Sequence, residues 1–111
     1  MTVVDFDKID AIGVTEDNPA KMTLMISDHL DWQDIGAHLI CLQEKINAYL
    51  YFVQEKQYES MYPHLRIKDI AIQINFLYDI PAECKKFLKT VQRQIKGSGV
   101  VIRTVIRAER S

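Results

Sequence analysis

Four residues near one another have side chains able to do chemistry: Asp28, His29, Asp31 and His38, in and after the segment Ile26-Ser27-Asp28-His29-Leu30-Asp31-Trp32. Carboxylates and imidazoles are donors that divalent metals accept, and three or four of them converging would form a metal or small-molecule site. The spacing H-x-D-x6-H matches no established ligand pattern. A structural role accounts for the same residues: Asp31 or Asp34 caps a helix, Trp32 closes the edge of a core, and His38 flanks a buried stripe. Cys41 follows His38 by three positions on the same helical stretch, so a thiol and an imidazole can meet. No nucleophile elbow, Gly-rich turn or third orienting group accompanies them, and a catalytic pair is not expected. Gly97-Ser98-Gly99 precedes a strand, the wrong context for cradling a phosphate. The expectation is therefore a non-enzymatic chain with no catalytic residue, no metal and no cofactor.

Charge and apolar pattern point toward protein partners. Residues 1–60 hold 11 acids against 4 bases, whereas residues 81–111 hold 2 acids against 8 bases, so the chain is electrically polarised although its net charge is only -1. Lys85, Lys86, Lys89, Arg93 and Lys96 lie away from the apolar stripe of their helix, and Arg103 and Arg107 point off the far side of a sheet. Two basic sets on opposite surfaces do not form one stripe for nucleic acid, and the sheet positions Gln73, Asn75, Val101 and Val105 lack aromatics for base stacking. The first helix is more telling. Opposite its core stripe stand Ile40, Cys41, Ala48, Tyr51 and Phe52, and a helix apolar on two sides is either buried twice or part of an interface. A homo-oligomer, or a complex with another protein, is the expected partnership.

The elements that must position these residues follow from periodicity. Ile12 and Val14, then Met22, Leu24 and Ile26, alternate about Asp17-Asn18-Pro19-Ala20, predicting a hairpin with strands near 9–16 and 21–28. Ile35, Leu39, Leu42, Ile46, Tyr49, Leu50 and Val53 recur at helical spacing, predicting a helix over about 33–57. Ile70, Ile72, Ile74 and Phe76 alternate with Gln73 and Asn75 in a third strand. Pro81 opens a helix carrying Cys84, Phe87, Leu88, Val91 and Ile95, and residues of about 100–107 form a last strand. The order β-β-α-β-α-β predicts an α+β, two-layer fold in which a four-stranded mixed sheet has two helices on one face. The last three strands would be parallel and in sequence, with the first antiparallel at an edge. At 111 residues, 48% of them hydrophobic, the chain suits one domain over 1–111 and is not disordered as a whole.

The residues Ile26-Ser27-Asp28-His29-Leu30-Asp31-Trp32, then His38-Leu39 and Leu42-Gln43-Glu44-Lys45-Ile46-Asn47-Ala48-Tyr49-Leu50, resemble a family of small bacterial proteins of unknown function, most sharply over residues 26–57. Such members look like a short hairpin, an I-x-D-x-L-D-W segment, a helix reading HL-x-x-L-Q-x-K-I-N-x-Y-L and a closing strand-helix-strand unit. The resemblance implies a compact bacterial cytoplasmic domain and carries over no catalytic residue; an accessory role is the expectation that goes with an interaction domain. The family's helix commonly ends with Gly before Gln, where this chain has Lys56 before Gln57. With no secretory signal at Met1-Thr2-Val3-Val4-Asp5, no apolar run long enough to span a membrane and two lone thiols, Cys41 and Cys84, the expected location is the cytoplasm.

Overall fold

Alternation over Asp69–Phe76 sends Ile70, Ile72, Ile74 and Phe76 to one side of a strand, and they form the centre of the protein's core. Gln73 and Asn75 point to the other side and remain partly exposed. This strand is β3 of a computed structural model that describes residues 11–15 and 17–107. The other strands are β1 (Ala11–Thr15), β2 (Asn18–Asp28) and β4 (Val100–Ile106), and the helices are α1 (Ile35–Gln54) and α2 (Ala82–Gln94). The sheet order is β1-β2-β3-β4, with β1 antiparallel to β2 and both remaining ladders parallel. Met22 lies beside Ile70 and Ile70 beside Val100, so inward positions align across three strands. Leu42, Ile46, Tyr49 and Phe52 of α1 and Cys84 and Leu88 of α2 join these side chains in one cluster, which places both helices on the same face. The expected α+β architecture is the observed one.

Two differences from the sequence reading have local causes. The hairpin turn is tighter than expected, because β2 already begins at Asn18 and the register jumps between Val14, which pairs with Met22, and Thr15, which pairs with Asn18. The outer parts of the first strand, residues 9, 10 and 16, and the tail 108–111 lie outside the described residues. The helix α1 is turned by roughly 50° about its axis, at 100° per residue, relative to the expected stripe. Its buried residues are His38, Leu42, Lys45, Ile46, Tyr49 and Phe52, while Ile35, Leu39, Leu50 and Val53 are only partly covered. Lys45 is fully buried with its Nζ 5.6 Å from the centre of the Tyr49 ring, and the Tyr49 hydroxyl donates to the Met25 carbonyl at 2.5 Å. These polar groups draw inward a face that apolar counting alone places at the margin.

The end of α1 also has a cost. Glu55 caps it, and Lys56 follows with φ 55° and ψ 35°, a left-handed conformation normally left to glycine after a helix C-terminus. A Cβ in that region crowds the following carbonyl. Lys56→Gly should therefore raise stability by about 0.5–1 kcal/mol, checked by the midpoint of urea unfolding. Ile72→Ala, at a fully buried position in the central strand, should cost about 2–5 kcal/mol in the same measurement.

Candidate functional site

The alternation Met22, Leu24, Ile26 delivers the next inward position of β2 to a carboxylate, Asp28, at the strand's last residue. His38, in the first turn of α1, meets it there: His38 Nε2 and Asp28 Oδ2 are 2.5 Å apart, and both residues are almost wholly buried. The other ring nitrogen, Nδ1, lies 2.9 Å from the Asp31 carbonyl oxygen. A carbonyl can only accept, so Nδ1 carries a hydrogen and donates it. The single proton between Nε2 and Oδ2 is then shared by the pair, as carboxylic acid with neutral imidazole or as carboxylate with imidazolium. Both forms have no net charge, the condition under which two such groups tolerate burial. The second carboxyl oxygen, Oδ1, accepts from the Leu30 backbone N–H at 3.1 Å.

Burial pushes the Asp28 carboxyl above its ordinary value, against the opposing pull of its bond to His38. Trp32 stacks on the imidazole, with ring centres 3.6 Å apart and planes 14° from parallel, and tilts against Phe76 at 6.1 Å. Its indole Nε1 is buried and has no acceptor among the described residues. Cys84, in the first turn of α2, faces the same end of the core. Burial, with a smaller contribution from Asp28, pushes its thiol up to about 12, so it is a protonated and unreactive packing group at neutral pH.

The four candidate ligands do not converge. Asp28 and His38 are joined and buried, whereas His29 and Asp31 are exposed. The Asp31 carboxylate accepts from the Gln33 N–H, and it is Asp34 whose side chain caps α1 by accepting from Ala37 N–H. Asp31 serves His38 only through its backbone. Both His38 nitrogens are committed, which leaves no base for Cys41, and among the described residues no group of three or more His, Cys, Asp or Glu is placed to hold a metal ion. The expected helix surface also divides. Ile40 and Tyr51 are 60% and 58% exposed, Cys41 and Ala48 are partly covered, and Phe52 turns into the core, where the rotation of α1 brings it. Phe52 is thus a core residue rather than part of an interface.

Two concavities complete the geometry. At the carboxyl ends of the parallel strands Ser27, Asp28, His29, Asn75, Leu77 and Arg107 line a cavity of about 180 Å³. At the opposite end a wider one of about 700 Å³ opens between the helix ends, walled by Leu50, Val53, Ile67, Ile70, Ile95 and Val100. The basic side chains of α2 are exposed, as are Arg103 and Arg107. No helix among the described residues is long and apolar enough to cross a membrane.

A family model covers residues 1–108, nearly the whole chain including the joined Asp28 and His38. The chain belongs to DUF6572, a family of unknown function. No curated protein and no solved structure matches it. Membership in DUF6572 agrees with the resemblance carried by residues 26–57 and assigns no activity to the Asp28–His38 pair.

Two outcomes test the shared proton. Asn at position 28 can donate from its amide to a neutral Nε2, whereas Ala leaves His38 buried against nothing. Asp28→Asn should cost less stability than Asp28→Ala, whose loss should reach about 3–5 kcal/mol by urea unfolding. The pH dependence has a definite sign. Because the folded carboxyl holds its proton more firmly than an unfolded one at 3.8, the folded state binds more protons as pH climbs above that value. The stability of the wild type relative to Asp28→Asn should then fall as pH rises from about 4 through the folded-state value. A pH series of chemical unfolding on both proteins measures it.

Proposed function

We propose that the chain is a non-enzymatic interaction domain that self-associates, a second copy covering the outer face of the sheet. The observation that carries this reading is the face itself. The helices cover one side of three parallel strands, and on the other Leu77, Val101 and Val105 are 43%, 51% and 40% exposed. All-parallel sheets are covered on both faces, the parallel part of this mixed sheet is covered on one, and sheets stack face to face at about 10 Å. Of the two twofold arrangements that stack these faces, the one with its axis along the strands sets β4 of each copy over the β1–β2 side of the other and so keeps Arg103 and Arg107 from facing themselves.

Other routes to a dimer are less favourable. Pairing β4 with β4 edge to edge opposes Arg103 and its neighbours to themselves, and like charges across a ladder destabilise it. On α1, Ile40 and Tyr51 stand eleven residues apart, about 16 Å along the axis, with Glu44 between them. The small-molecule or metal reading at Asp28, His29, Asp31 and His38 gains no support from four residues of which two are sealed together and two face solvent.

Light scattering should give twice the 12.9 kDa chain mass. Val105→Glu should return the particle to a monomer with unchanged far-ultraviolet circular dichroism, since it sets a charge in an apolar contact. Tyr51→Glu should leave the dimer intact. A wild type monomeric at high concentration would remove the proposal, and dissociation by Tyr51→Glu but not by Val105→Glu would move the interface to α1.

A further inference from the structure

The hydrogen-bond directions on the outer face lead to one end of the sheet. The Arg103 guanidinium donates to Gln73 Oε1 at 3.2 Å, and a guanidinium has no acceptor, so this oxygen assignment has one solution. Gln73 therefore turns its amide nitrogen onward and donates from Nε2 to Asn75 Oδ1 at 2.9 Å. With Oδ1 taken, Asn75 has only its NH₂ group left to offer, and Nδ2 has no acceptor among the described residues. Asn75 lines the 180 Å³ cavity at the carboxyl ends of β2 and β3, together with Ser27, His29, Leu77 and Arg107. The one acid in the lining, Asp28, shares a proton with His38 on the helix side, and the pair contributes no net charge. The lining thus offers the Asn75 amide hydrogens and the fixed positive charge of Arg107.

We propose that this cavity binds a small oxyanion, a carboxylate or phosphate group, held by Arg107 and by the Asn75 amide that the Arg103–Gln73 relay orients. Arg107 offers paired N–H donors in a planar fork that fits two oxygens of one anion. Asn75 supplies a neutral donor already turned toward it, so little ordering is required on binding. Leu77 forms an apolar side of the cavity and admits a short carbon chain attached to the anion. The proposal is argued from the relay and the cavity lining, but Leu77 and Arg107 also lie on the face that the proposed second copy covers, so anion binding and self-association draw on the same residues.

The test is a nuclear magnetic resonance titration at constant ionic strength, with chloride replaced by inorganic phosphate in one arm and by succinate in the other. The expected result is a saturable shift of the Asn75 side-chain NH₂ signals in at least one arm, and the arm that saturates at lower concentration identifies the group. Arg107→Gln should weaken that binding about tenfold or more, as loss of a charged hydrogen bond does. Asn75→Asp, which turns the donor into an acceptor, should abolish it, while Lys89→Gln on α2 should change nothing. Gln73→Leu, which breaks the relay and leaves the lining intact, should weaken binding less than Arg107→Gln does. Shifts that fail to saturate in both arms, or that survive Arg107→Gln unchanged, overturn the proposal. Light scattering on the same samples reads the dimer separately, so a monomer that binds and a dimer that does not are distinct results.

Discussion

A single proton held between Asp28 and His38 fixes how α1 lies on the sheet. The last inward position of β2 is a carboxylate, which cannot enter the core alone at acceptable cost, and the helix must bring it an imidazole. That requirement sets the axial rotation of α1. The rotation takes His38, Lys45 and Phe52 inward and leaves Leu39 and Val53 at the margin. Trp32 then covers the imidazole as a flat lid, and the Asp31 carbonyl holds its second nitrogen. Each partner satisfies the others, so the cluster behaves as a unit whose partial removal costs more than its net contribution.

The layered architecture was legible from alternation and helical spacing because those periods report directly which face is buried. Strand order followed from short connections and the preference for right-handed crossovers, and the observed β1-β2-β3-β4 sheet agrees. The axial setting of α1 was not legible in that way. Counting apolar residues weighs Leu39 and Val53 above His38 and Lys45, whereas the structure ranks them by which polar groups find partners. A signal was present in the spacing of His38, Leu42, Lys45, Tyr49 and Phe52, which recur at intervals of four and three, but two of the five are polar. Asp28 and His38 both stand among the candidate ligands, but ligand spacing alone does not distinguish two groups that satisfy each other from two that converge on a metal. The cap was assignable only to Asp31 or Asp34, since both precede the helix and only backbone geometry separates them.

The two faces of the sheet divide the protein's chemistry. The helix side spends its polar groups internally, on a joined pair, a raised thiol and a tyrosine tied to a backbone carbonyl. The outer side joins its groups to one another along the surface, in a relay that runs from Arg103 through Gln73 to Asn75. Asp28 stands where the two meet, and the proton it shares separates them electrostatically.

Strand order governs how the chain finds its fold. The hairpin joins Val14 to Met22, eight positions apart, and Asp28 and His38 are separated by ten. The ladder between β2 and β3 joins Met22 to Ile70, across 48 positions. Closing the longer loop costs about 1.4 kcal/mol more in chain entropy than closing the ten-residue one. The polar pair therefore offers α1 a place on β2 while β3 is still distant, and the helix so seated narrows the search for the parallel ladder. Pairing β2 with β3 across that distance is the ladder whose loop closure the topology makes most costly.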